Sequence, residues 1–121
     1  MRKILIVDDH PETIRLLEAI LKGGDRQFYR AENGEQGLVL AREANPDLIL
    51  LDVMMPGGLD GYQVARHLKG DPATRDSRII VMTAKRQPED REMAFESGAD
   101  DYITKPFDLA HVRKRVEDFL Q

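Results

Sequence analysis

Four apolar residues, Leu48-Ile49-Leu50-Leu51, stand between two carboxylates, Asp47 and Asp52. The run has none of the polar alternation of a strand with one wet face, and it is far too short to span a bilayer. It fits a central strand buried on both faces, which is how strands of a helix-covered parallel sheet read. Asp52 stands where that strand ends. Val53-Met54-Met55-Pro56-Gly57-Gly58 follows, with Pro and Gly opening a loop. Open parallel sheets take their ligands beyond the carboxyl ends of their strands. A carboxylate delivered there by a buried strand is a candidate for chemistry.

The rest of the chain supplies partners for that strand. Ile4 to Val7 reads as a first buried strand, ended by Asp8-Asp9-His10. Pro11 suits the first turn of a helix capped by Asp9 or His10, with Ile14, Leu17, Ile20 and Leu21 at helical spacing and Gly23-Gly24 as the stop. Gln27 to Ala31 is a short second strand, and Asn33-Gly34 a turn. Gly37, Leu38, Ala41 and Ala44 mark a second helix ending before Pro46. Gly61 to Lys69 predicts a third helix burying Val64 and Leu68, broken by Gly70-Asp71-Pro72. Arg78 to Thr83 is a fourth strand. Pro88 opens a fourth helix with Met93-Ala94 inward and Gly98 at its close. Tyr102-Ile103 is a fifth strand, and Leu109, Val112, Val116, Phe119 and Leu120 share one face of a last helix. Five strands alternating with five helices imply right-handed βαβ units and an α/β/α sandwich. The expected fold is flavodoxin-like and doubly wound, with a parallel sheet in the order 2-1-3-4-5.

A chain of 121 residues has room for one domain. Its net charge of −4 lacks the basic footprint of a nucleic-acid surface, so direct nucleic-acid binding is not expected. With no Cys there is no disulfide, thiolate metal site or thiol nucleophile. The basic-then-apolar start, Met1 to Val7, is too short and too quickly acidic for a signal peptide. A cytoplasmic location away from the membrane is the expectation.

Strands 1 and 3 are neighbours in this order, so Asp8, Asp9 and Asp52 converge at one edge. Close carboxylates repel unless a cation sits among them. Oxygen ligands with room for water and phosphate favour Mg²⁺ over a caged Ca²⁺. Either Asp8 or Asp9 alone reads equally well as a helix cap; the convergence with Asp52 is what argues for a site. Thr83 and Lys105 end strands 4 and 5 at the same edge, where a hydroxyl and an ammonium can meet phosphate oxygens.

Ile4-Leu5-Ile6-Val7-Asp8-Asp9, Asp52-Val53-Met54-Met55-Pro56, Asp60-Gly61, Thr83-Ala84 and Lys105-Pro106-Phe107 together resemble the receiver domain of two-component response regulators. The resemblance spans nearly the whole chain. It implies that Asp52 is the phosphoacceptor, served by a histidine kinase or a phosphotransfer protein. It implies Mg²⁺, with Mn²⁺ as a substitute, on Asp9, Asp52 and the Met54 carbonyl, with Asp8 acting through water. Lys105 would hold the phosphoryl group through a cis Lys105-Pro106 peptide. Thr83 would move to hydrogen-bond it, and Tyr102 would follow as the aromatic switch. Met54, Ala84 and Lys85 would flank the phosphoryl group. The changed face would be the fourth helix, fifth strand and fifth helix, addressing an unnamed output partner or effector domain, with a phosphorylation-induced dimer as one outcome. One feature departs from the family pattern: Gly57 and Gly58 both follow Pro56, one residue more than usual, which predicts a longer and looser loop.

Three other classes share parts of this pattern. An aspartyl phosphatase acting on external substrates normally has a second Asp two residues after its nucleophile, and here Met54 stands there. A flavin module needs a phosphate loop rich in Gly and hydroxyls after strand 1, where this chain has Asp8-Asp9-His10-Pro11-Glu12. The third is a binding module that works without phosphorylation.

Overall fold

The computed structural model describes residues 2–55, 57–84 and 88–120. Ten elements alternate: β1 (Arg2–Val7), α1 (Pro11–Leu21), β2 (Arg26–Ala31), α2 (Gly34–Ala44), β3 (Leu48–Asp52), α3 (Gly61–Gly70), β4 (Arg78–Thr83), α4 (Pro88–Glu96), β5 (Asp101–Thr104) and α5 (Leu109–Leu120). The five strands are parallel in the order β2-β1-β3-β4-β5. This is the doubly wound, flavodoxin-like α/β fold expected from the strand and helix pattern.

The period-2 geometry of strands splits the core in two. Leu5, Val7, Ile49, Leu51, Ile79 and Val81 face α2, α3 and α4, meeting Ala41, Val64, Ala65, Leu68 and Ala94. Ile4, Ile6, Leu48, Leu50, Ile80 and Met82 face α1 and α5, meeting Ile14, Leu17, Leu21, Val112 and Val116. All of β3 is buried, and its four apolar residues are fully so. Each such side chain contributes about 2 kcal/mol of burial, which is what can hold a carboxylate at the strand's end.

Local chemistry sets the helix ends. Asn33 caps α2 by accepting the Gln36 N–H, and Asn45 closes it in the left-handed region at φ 51°. Asp60 and Gln63 form a reciprocal capping box on α3. Gly61 has no alternative at its position: a Cβ there would lie 2.4 Å from the Asp52 carbonyl oxygen and 2.7 Å from the Val53 Cα. That close approach seats the start of α3 against the end of β3.

Two burial expectations fail. Met93 is 41% exposed and Leu109 42%. Met93, Ala94 and Phe95 are consecutive, and residues 100° apart on a helix cannot all face inward; α4 turns Ala94 in and leaves both flanking residues largely out. Leu109 lies in the first turn of α5, at the end of its apolar face, and Val112, Val116 and Leu120 carry the burial.

The loop after Asp52 has one anchor at its far end. Gly57 and Gly58 both take positive φ, 70° and 50°. The Leu59 N–H then donates to Glu35 in the first turn of α2 at 3.0 Å, so the far end of the loop is tied down. Pro56 lies outside the described residues.

Candidate functional site: an acidic pocket at the sheet edge

Val7 and Leu51 pair in register, so Asp8 and Asp52 follow side by side at the carboxyl ends of β1 and β3. Asp8 is fully buried and Asp52 is 2% exposed. Asp8 Oδ1 accepts the His10 N–H at 2.9 Å, and Asp8 Oδ2 accepts from Lys105 Nζ at 2.9 Å. The same ammonium lies 3.4 Å from Asp52 Oδ1. Asp52 Oδ1 also accepts the Met54 N–H at 3.3 Å. Lys105 therefore reaches across from beyond β5 to bridge two strand ends, and the Lys105-Pro106 peptide is cis.

Asp9 completes the cluster. Its Oδ1 is buried and makes no hydrogen bond, although His10 Nδ1 stands 3.1 Å away. Asp8, Asp9, His10 and Asp52 each offer one ligand atom, and these atoms all lie within 4.8 Å of one another.

The electrostatics show a charge imbalance. Burial, and then the charge of Asp8, push the Asp52 carboxyl from 3.8 up to about 6, against the pull of Lys105 and the Met54 N–H. Burial works to lower the Lys105 ammonium, but its hydrogen bond to Asp8 and the charges of Asp52 and Asp8 outweigh it and leave it raised. Three carboxylates facing one ammonium form a pocket that favours a further cation. The bare Asp9 oxygen is a ready ligand, so the donor set fits a hard divalent ion.

The other expected residues lie around this pocket. Thr83 is buried one residue beyond Met82, the β4 partner of Asp52, and its carbonyl accepts the Lys105 N–H at 2.8 Å. The Met54 side chain is 57% exposed, and Ala84 is exposed. Lys85 lies outside the described residues. Tyr102 is not part of the acidic cluster. It pairs with Val81 on the outer strand β5, partly buried, with its ring edge-on to Phe95 at 6.3 Å. Beside it, Arg91, Thr104, His111 and Arg115 help line a cavity of about 390 Å³.

His10 is the residue the sequence reading undervalued. It sits at the expected cap position of α1 but makes no side-chain cap bond, and its ring turns to Asp8 and Asp9 instead. The signal available was its position directly after two acidic residues.

The family model described as the response regulator receiver domain matches residues 4–117. Protein PilH of Pseudomonas aeruginosa is 41% identical over 120 residues, which cover 99% of this chain and 98% of PilH. The transcriptional regulatory protein ResD of Bacillus subtilis is 44% identical over 119 residues, covering 98% of this chain and 48% of ResD. The chain thus spans nearly all of the one relative and about half of the other. Among solved structures, the signal receiver domain of a histidine kinase from Syntrophus aciditrophicus superposes with a TM-score of 0.88 at 37% identity, covering 99% of this chain and 90% of that one. The receiver domain of the Francisella response regulator 1452 gives 0.88 at 28%, covering 98% and 96%. A matching family model over nearly the whole length, on a fold whose strand ends gather three aspartates and a lysine, means that this chain belongs to the response regulator receiver domains, the phosphorylation-dependent switches of two-component signalling.

Proposed function

We propose that the chain acts as a single receiver domain that takes a phosphoryl group onto Asp52 from a histidine kinase or a histidine phosphotransfer protein. The observation that carries this is the bridge from Lys105 Nζ to Asp8 and Asp52 at 2.9 and 3.4 Å, beside the bare oxygen of Asp9. Asp9, Asp52 and the Met54 carbonyl would hold Mg²⁺, or Mn²⁺ in its place, with Asp8 acting through water. Such an ion, when bound, neutralises charge on phosphoryl oxygens.

The protein's own groups do the rest. An ionised Asp52 oxygen attacks phosphorus, the bond from phosphorus to the donor's imidazole nitrogen breaks, and the imidazole leaves with the electron pair. Lys105, already between two carboxylates, needs little movement to meet a phosphoryl oxygen, so its stabilisation is preorganised. The product replaces one charge on Asp52 by the greater charge of an acyl phosphate. Thr83, at the next strand end, is drawn to it. Tyr102 follows, and the α4-β5-α5 face changes toward an output partner, an effector domain or a second copy. A two-state equilibrium biased by the phosphoryl group describes this.

The role is regulatory, with slow self-dephosphorylation the only turnover; Met54 is no acid or base for external substrates. The acidic charge and the soluble-type fold suit a cytoplasmic relay that binds neither nucleic acid nor membrane. Among the described residues no helix is long and apolar enough to cross a membrane.

The test is incubation with Mg²⁺ and acetyl phosphate, followed by intact-mass measurement. One base-labile phosphoryl group is expected on the parent and none on Asp52→Asn. Labelling that survives that substitution, or proceeds equally with Mg²⁺ chelated, rejects the assignment.

A further inference from the structure

We propose that Phe95, braced by Arg91, holds the Tyr102 ring in its resting place on β5, so that this contact from α4 sets how strongly a phosphoryl group must pull to throw the switch. This rests on the reading of Tyr102 as the aromatic switch, and goes beyond it by naming what opposes its movement.

The backbone of Tyr102 is fixed. It pairs with Val81 of β4, and its N–H donates to Asp101 Oδ1 at 2.8 Å, while Asp101 is itself paired with Arg115 of α5. Partners in register on parallel strands point to the same face of the sheet, and so do residues two apart on one strand. Tyr102 therefore shares with Val81 and Thr83 the face that α4 covers. Thr83 is its diagonal neighbour, and such pairs stand about 7–8 Å apart, within reach of an aromatic side chain. A turn of the ring toward Thr83 needs no change of strand register.

Phe95 stands against that turn. Its ring and that of Tyr102 are perpendicular, with centroids 6.3 Å apart. This is the arrangement in which the positive edge of one ring meets the negative face of the other. Arg91, one turn earlier on α4, sets its guanidinium over the Phe95 ring, 5.8 Å from the centroid. Core packing does not account for the position of this ring. It is 43% exposed, and Ala94 is the one buried side chain among the described residues of α4. Both rings border the cavity of about 390 Å³ between α4, β5 and α5, so parting them breaks no packed interior.

Linkage gives the consequence. The contact belongs to the state without a phosphoryl group, and a ring that turns to Thr83 gives it up. Its free energy therefore counts against the phosphorylated state alone. Removing it must tighten whatever occupies the phosphoryl position by the same factor. One aromatic pair is worth about two- to tenfold in such an equilibrium. A contact kept in both states would cancel and leave that affinity unchanged.

The test uses the full chain with Mg²⁺ and beryllofluoride, which takes the phosphoryl position on an aspartate. Its apparent affinity and the Tyr102 ring resonances would be measured in the parent, Phe95→Leu, Phe95→Tyr and Arg91→Ala. The Tyr102 ring is expected to respond to beryllofluoride in the parent. Phe95→Leu should tighten binding about two- to tenfold. Arg91→Ala should tighten it less, and Phe95→Tyr, which keeps the ring, should match the parent. Unchanged or weaker binding in Phe95→Leu, or equal tightening in Phe95→Tyr, overturns the hold on Tyr102 while the parent's response still supports the switch. Tyr102 resonances that ignore bound beryllofluoride overturn the switch reading and this inference together. A parent that binds no beryllofluoride overturns the phosphoacceptor reading beneath both.

Discussion

Replacing Asp52 by Asn should make the metal-free protein more stable at neutral pH, although it removes a lysine contact. The carboxyl is raised from 3.8 to about 6 by burial and by Asp8. Each pKa unit is worth about 1.36 kcal/mol, so the ionised group costs the fold about 3 kcal/mol. Asn keeps the shape without the charge, and Lys105 keeps its 2.9 Å bond to Asp8, so most of that cost should be recovered. The sign with pH follows. A carboxyl raised on folding costs nothing below 3.8, where it is protonated in both states. The cost grows as pH rises between 3.8 and about 6, and is full above. The advantage of Asp52→Asn should therefore be absent near pH 3.5 and reach about 2–3 kcal/mol at pH 7.5, or roughly 10 °C in Tm for a domain this size. Urea unfolding in EDTA across that range measures it. Adding Mg²⁺ should shrink the difference, because a ligand at 100 times its Kd stabilises the parent by about 2.7 kcal/mol. Equal stabilities at pH 7.5 without metal, or an advantage that does not change with pH, would refute the reasoning.

Three further outcomes are expected. Lys105→Met leaves the fully buried Asp8 carboxylate without its ammonium. It should lower metal-free stability at neutral pH by about 1–3 kcal/mol, a buried-pair loss reduced by partial exposure of the lysine, and should slow acetyl phosphate labelling, both readable by urea melts and mass spectrometry. Gly61→Ala drives a methyl into the Asp52 carbonyl and the Val53 backbone; it should cost about 2–3 kcal/mol and shift Asp52 enough to slow labelling, whereas a neutral substitution would show that the β3–α3 junction yields freely. Met54, 57% exposed beside Asp52, offers no group to orient a water, so Met54→Asn should speed loss of the phosphoryl group measured by its decay in Mg²⁺; equal decay in parent and variant contradicts the role.

The fold was legible because its elements state their period locally. Leu48 to Leu51 has no polar break, which fits a strand buried on both faces. Ile14, Leu17 and Leu21 mark a stripe with Pro11 before it and two glycines after, and α1 runs from Pro11 to Leu21. The convergence of Asp8, Asp9, Asp52 and Lys105 was legible for a different reason. Parallel topology places every carboxyl strand end on one edge, so residues 97 apart in sequence meet without any local signal. Where the reading failed, the deciding contact was lateral. Met93 faces outward because Ala94 takes the inward position, a choice made by the sheet beneath and not by α4. Glu35 holds Leu59 across 24 residues, and nothing in either segment names the other. His10 shows the same limit at closer range. Its type and its place after Asp9 were visible, but a side chain at a helix start can turn toward the helix amides or back toward the strand. The Asp8 carboxylate accepts its N–H and draws the ring back. The turn that begins a helix thereby lays the His10 ring against the acidic pocket, a consequence of three-dimensional competition that no pattern of spacing encodes.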